Sequence, residues 1–183
     1  MVDKIEEDKL IRELLGGCRE YITGIRLEKE RRIAKEEKNL TRSLELNCYF
    51  TTCGLDQAHL ALVVLKTAML TAFKSKNFIT AESFARRLLD MDKLPDKLRK
   101  QATKVVQKSQ QEGRNAIKLN FNPDSKFDLC GASFEPISQG NDLVRCPYCG
   151  TAYKTEYSGT LCKTCTISSV GVETVGLTCM MAR

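Results

Sequence analysis

The stretch CPYCGTAYKTEYSGTLCKTC, Cys146 to Cys165, holds two Cys-x-x-Cys pairs separated by twelve residues. Each pair fits one tight turn with both thiolates aimed at a common point. The second pair can return on a neighbouring hairpin to close a tetrahedron. Soft sulfur ligands in a closed tetrahedral set favour zinc. Cys146, Cys149, Cys162 and Cys165 are therefore the expected ligands of one structural Zn2+. A catalytic zinc would keep an open position beside a general base, and the sequence has neither His-x-Glu nor His-Glu-x-x-His. No catalytic residue is assigned, and the chain is read as a non-enzyme. Cys130 and Cys179 lie in the same region and are read as small buried hydrophobes or as substitute ligands.

Working outward from the cysteines, residues 120–183 carry short β-branched and aromatic runs punctuated by Asn122-Pro123, Gly140-Asn141, Ser158-Gly159 and Gly171. They predict a small antiparallel β module of zinc-ribbon type. Its core would be thin, and modules of this size commonly need a metal or a partner for stability.

Residues 1–119 read as a helical domain. Ile11, Leu14, Leu15, Cys18, Tyr21, Ile22 and Ile25 recur at steps of three and four, which marks one helical face, and the glycines at 16 and 17 predict a kink or a join. EKERRIAKEEKN, from Glu28, is polar on all sides and reads as a solvated helix or strut. NCYFTTCGLD, from Asn47, reads as a connector, with Asp56 as N-cap of the apolar helix that follows. That helix should end at Asn77. Two more follow, one from Ile79 with Phe84, Leu88 and Leu89 inside, the other from Pro95 to Gly113. The fold class is α+β, with a long charged helix and antiparallel helix hairpins ahead of the β module. The hairpin spacing has a tetratricopeptide character but shows no complete repeat. His59, the sole histidine, reads as a polar boundary residue.

Of the 183 residues 42% are hydrophobic and 28% charged, and no apolar run reaches the length of a membrane span. The start, MVDKIEEDKLIRELL, lacks the features of a signal peptide. With that context, nine cysteines, an odd count, point to reduced thiols around a metal rather than to disulfides, and to a cytoplasmic protein.

Charge distribution separates binding classes. The first 119 residues hold 24 Lys and Arg against 17 Asp and Glu, the remainder 5 against 6. A ribbon that binds nucleic acid needs bases of its own, and four thiolates around zinc add negative charge to this one. The cysteine module therefore reads as a clasp shaping a protein-binding surface. Tyr153 and Tyr157, near the tip of a hairpin expected between Cys149 and Cys162, are the candidate partner contacts. The alternative is a nucleic-acid-binding module using the basic helical part, where acids interleave with the bases. A thiol enzyme has less support, because the cysteine pairs lack a βαβ setting.

YFTTCGLDQAHLALVVLKTAMLTAFKSKNFITAESFARRLLDM, FDLCGASFEPISQG, CPYCGTAYKTEYSGTLC and VGVETVGL, taken in order, resemble the C-terminal domain of the alpha subunit of coatomer, the COPI vesicle coat. The likeness covers nearly everything from Asn47 to Leu177. It implies the tail of a much larger protein, peripheral on Golgi membranes and COPI vesicles, that binds the coatomer epsilon subunit, a helical-repeat protein, and the rest of coatomer. It implies transport between Golgi and ER, with membrane association only through the coat.

Overall fold

A computed structural model of the chain describes residues 4–55, 58–92 and 94–172. Asp56 and Cys179 lie outside the described residues, as does the side chain of His59. Five helices precede four short strands among the described residues. The residues group into two compact units, Met1–Arg26 with Ser125–Arg183, and Leu27–Asp124. The helical part expected over residues 1–119 is thus divided, its first 26 residues grouping with the cysteine-bearing part.

Helix α1 runs from Lys4 to Glu36 without interruption. Of the kink or join expected at Gly16 and Gly17, the join does not occur, since both glycines lie inside α1. Each glycine costs about 1 kcal/mol in a helix interior, and side chains on the following turns hold α1 to the cysteine module, as described below. The break comes instead at Lys38, with φ 59. There the Asn39 side chain accepts a hydrogen bond from the Arg42 amide at 3.0 Å and caps the next helix.

Helix α2, Leu40–Phe50, takes in Asn47–Phe50, the first four residues of the segment expected as a connector. Leu44, Leu46, Cys48 and Tyr49 are all buried on it. Tertiary burial of these residues outweighs the modest helix propensity of Asn, Cys, Tyr and Phe. Helices α3 (Ala58–Lys74), α4 (Phe78–Leu89) and α5 (Asp96–Glu112) follow as consecutive hairpins. Pro95 stands at the N-cap of α5, and Gly113 closes it in the left-handed conformation at φ 57. Their shared core includes Leu44, Met69, Phe84, Leu88, Leu98 and Val105.

The segment after α5 is bound to this core by side-chain amides. Asn77 donates to the Ile117 carbonyl and accepts from the Ile117 amide, both at 2.9 Å. Its own helix is then capped from a distance: Asn115 Oδ1 accepts from the amides of Ile79 (3.0 Å) and Thr80 (3.3 Å). Further on, Tyr49 Oη donates to the Asn120 carbonyl at 2.6 Å.

In the other unit, β1 (Phe127–Leu129) pairs antiparallel with β2 (Pro136–Ser138), and β3 (Leu143–Arg145) with β4 (Ala152–Lys154). The two hairpins are one design used twice. Leu129 pairs with Pro136 just as Arg145 pairs with Ala152. The Cys130 amide bonds to the Glu135 carbonyl at 3.0 Å, and the Cys146 amide to the Thr151 carbonyl at the same distance. Phe134 bonds back to the Cys130 carbonyl, and Gly150 to that of Cys146, both at 2.9 Å. The copies are joined by Gly131 N–H donating to the Ala152 carbonyl at 2.8 Å and by ion pairs Arg145–Asp128, at 2.9 Å, and Lys154–Glu135.

Candidate metal centre

Cys146 and Cys149 sit on the turn between β3 and β4. Cys162 and Cys165 sit on a second turn after a single 3-10 turn at Thr155–Tyr157. Both turns have the same internal geometry. The amide of the later cysteine points at the sulfur of the earlier one at 3.5 Å, Cys149 to Cys146 and Cys165 to Cys162. One residue further, Gly150 and Thr166 each bond back to the first cysteine's carbonyl at 2.9 Å. That return requires a left-handed backbone, φ 73 at Gly150 and 56 at Thr166. Thr166 adopts it at a cost of order 1 kcal/mol.

The four sulfurs lie within 4.8 Å of one another. Cys146 Sγ is 3.6 Å from Cys165 Sγ, and Cys149 Sγ is 3.6 Å from Cys162 Sγ. A tetrahedron with metal–sulfur bonds of about 2.3 Å has edges of roughly 3.8 Å, so the donor set fits one ion of zinc size. All four sequence-assigned ligands are brought together, three buried and Cys165 partly exposed.

Without a cation the cluster resists carrying four negative charges. Hydrogen bonding to Cys146 and Cys162 pushes the Cys149 thiol up, whereas bonds from Cys146 and Cys149 hold Cys162 down as the preferred thiolate. A divalent ion reverses that conflict, since each thiolate then faces a positive charge.

Hydroxyls surround the sulfurs. Thr151 Oγ1 lies 3.1 Å from Cys149 Sγ, Tyr153 Oη 3.1 Å from Cys162 Sγ and Ser168 Oγ 3.2 Å from Cys146 Sγ. Tyr153 Oη also accepts the Lys163 amide at 2.9 Å, which leaves its own proton for the sulfur. Two cations approach from α1. Arg19 Nη1 donates to the Cys149 carbonyl and Arg26 Nη1 to Thr164 Oγ1, both at 3.3 Å. The Arg26 guanidinium also lies 4.9 Å from the centre of the Phe134 ring. These contacts explain why the first turns of α1 group with this unit.

The expected hairpin between Cys149 and Cys162 is not there: β4 pairs back on β3 and the 3-10 turn follows. Tyr153 is 0% exposed and stands in the module core, not at a projecting tip. Burial in the first place, and then its bond to Cys162, push its hydroxyl up. It takes this place because residues alternate between the two faces of a strand, and position 153 of β4 faces the sulfurs. Tyr157 is half-buried, at 6.3 Å between ring centres from Tyr153 and with Lys163 Nζ 6.0 Å from its own ring centre.

Cys130 occupies a third turn of the same kind, with Ser133 where a second cysteine would stand and Phe134 at φ 51. Burial raises its thiol, but bonds from the Ser133 hydroxyl and from the amides of Ser133, Lys154 and Ala132 outweigh that and leave it below the ordinary value. Thr151, Ser168, Arg19 and the third turn escaped the sequence reading. The signal for the third turn was present: Cys130-x-x-Ser133 lies sixteen residues before Cys146-x-x-Cys149.

Elsewhere the bases of the helical part are interleaved with acids in ion pairs, Arg31 and Arg32 with Glu28 and Arg86 with Glu82. On α1, Leu10, Ile11, Leu14, Ile22 and Ile25 are exposed along one face, Leu14 by 61% and Ile25 by 69%. Of the expected apolar face of α1, Ile11, Leu14, Cys18, Ile22 and Ile25 are exposed, while Leu15 and Tyr21 are half-buried. Among the described residues no helix is long and apolar enough to cross a membrane.

The family model that describes the C-terminus of the coatomer (COPI) alpha subunit matches residues 1–183. The chain is 40% identical over 182 residues to coatomer subunit alpha of Dictyostelium discoideum, a match covering 96% of this chain and 15% of the relative. It is 37% identical to coatomer subunit alpha-2 of Oryza sativa, covering 98% and 14%, and 36% identical to coatomer subunit alpha of Saccharomyces cerevisiae, covering 97% and 14%. The chain thus spans about one seventh of the length of these relatives.

Proposed function

The chain belongs to the family formed by the C-terminus of the coatomer (COPI) alpha subunit, and on that premise we propose that it is a non-enzymatic scaffold segment of the COPI coat that binds the coatomer epsilon subunit. In this reading it works in the cytoplasm, reaches Golgi membranes and COPI vesicles only through the coat, and supports transport between Golgi and ER. The observation that carries the reading is the family match along the whole chain. The uncovered aliphatic face of α1 supports it, because large side chains on one side of a helix favour burial against another protein. Tyr157 and the exposed turn that follows it are a second contact surface, while buried Tyr153 serves the module from inside.

We further propose that the four cysteines hold one structural Zn2+. The fit rests on the closed sulfur set, the hydroxyls aimed at three of its members and the two neighbouring arginines. When bound, the ion supplies the cross-link that a module of three-residue strands cannot provide by burial alone.

The test of the scaffold reading is light scattering coupled to size-exclusion chromatography, with this chain and the epsilon subunit mixed at micromolar concentration. A stoichiometric complex is expected, weakened when Leu14 and Ile25 are both replaced by Asp. Two separate peaks for the unmodified pair would overturn the partner assignment.

A further inference from the structure

We propose that Cys165 is a modification site, the one ligand of the metal centre open to peroxides and other small electrophiles. This inference rests on the zinc reading above.

The four sulfurs are not equivalent. Cys146 and Cys162 are fully buried and Cys149 nearly so, while Cys165 is partly exposed. Each of the three buried sulfurs has a side-chain hydroxyl within 3.2 Å, from Ser168, Tyr153 and Thr151 in turn. No described residue places a hydroxyl on Cys165, whose sulfur is met only by the backbone amides of Ile167 and Ser168 and by its fellow cysteines. A hydrogen bond to a thiolate draws charge from the sulfur and lowers its nucleophilicity, and burial denies a reagent its approach. Both effects protect Cys146, Cys149 and Cys162. Cys165 also accepts two amides, so burial is what separates it: its sulfur alone among the four belongs to a partly exposed residue. Its flank is open as well, with Leu161 and Ile167 both exposed.

The chemistry closes within the cluster. The Cys165 sulfur attacks one oxygen of hydrogen peroxide, the O–O bond breaks, and the hydroxide released takes a proton to become water. Cys165 is left as a sulfenic acid. Cys146 Sγ, 3.6 Å away, then attacks that sulfur, forming an S–S bond and expelling the sulfenic oxygen, which is protonated to a second water. Two thiolates lose two electrons and one peroxide gains them. A disulfide offers no thiolate pair to a metal, so the centre is dismantled in one two-electron event. Its restoration needs a dithiol reductant.

The test uses the full chain as purified without chelator, its zinc content measured first. Limiting N-ethylmaleimide, and separately hydrogen peroxide, are added to the native protein, and each cysteine is followed by peptide mass spectrometry. Within the cluster Cys165 should react about tenfold faster than the other three, the scale on which partners of metal ligands act. Maleimide adducts at Cys165 and a Cys146–Cys165 disulfide after peroxide are the expected products. Tyr153→Phe should raise the reaction of Cys162 and leave that of Cys165 unchanged, an outcome that mere loosening of the module would not give. Zinc present with all four cysteines reacting alike would overturn this inference and leave the zinc reading standing. Absence of zinc would overturn both.

Discussion

Gly131 lies directly against the ring of Tyr153. A Cβ at position 131 would stand 2.8 Å from Tyr153 Cζ, 2.9 Å from its Oη and 2.5 Å from Thr151 Cγ2. The first hairpin can approach the hairpin that carries Cys146 and Cys149 closely enough for the Gly131–Ala152 hydrogen bond only because residue 131 has no side chain.

Gly131→Ala should therefore separate the hairpins or displace Tyr153 from Cys162. Overpacking of this kind costs about 1–3 kcal/mol. The readout is zinc retention during titration with a chelator, alongside the denaturant midpoint of the purified variant. Retention equal to that of the unmodified chain would show that the two hairpins do not depend on this contact.

Acid should release the metal. The Cys149 thiol is pushed up by its bonds to Cys146 and Cys162, so the empty folded site holds a proton that the ion must displace. Zinc binding consequently strengthens as pH rises and weakens as pH falls. The expected observation is proton release on adding zinc to the chelated protein, with an apparent affinity that falls steadily from pH 8 to pH 5. Affinity independent of pH over that range would contradict thiolate ligation.

Asn77→Ala should destabilise the helical unit. Its carboxamide satisfies both the amide and the carbonyl of Ile117 from a fully buried position. Loss of both bonds leaves two backbone groups to find new partners, at about 2–4 kcal/mol in all. Urea unfolding followed by helical circular dichroism measures this, and a midpoint unchanged from the parent would show that water replaces the carboxamide freely.

Native alkylation at pH 8 should separate Cys18 from Cys48. Cys18 is exposed on α1. Burial, and then the charge of Glu45, push the Cys48 thiol up to about 12. At pH 8 it is protonated as well as enclosed. Cys18 should label within minutes, and Cys48 only once urea unfolds the helical unit. Early labelling of Cys48 would place α2 outside the core.

The sequence by itself determined the elements whose causes are local. The Cys-x-x-Cys spacing identified Cys146, Cys149, Cys162 and Cys165 because a knuckle turn is a matter of a few consecutive residues, and the structure brings all four together. Pro95 and Gly113 marked the ends of α5 because φ restriction and φ freedom act at single positions. The likeness to the coatomer tail was legible for the same reason: it is carried by the order of side chains.

Tertiary structure decided what depends on neighbours distant in the chain. It kept α1 helical through two glycines, since the contacts of Arg19 and Arg26 lie more than a hundred residues away. It made α2 from a segment of weak propensity and capped α4 with Asn115 in place of Asn77. Tyr153 was the clearest case. An aromatic in a β-type run can face solvent or core, and a one-residue change in register exchanges the two. Only the pairing of Val144 with Tyr153 placed that ring beneath Gly131 and its hydroxyl on Cys162.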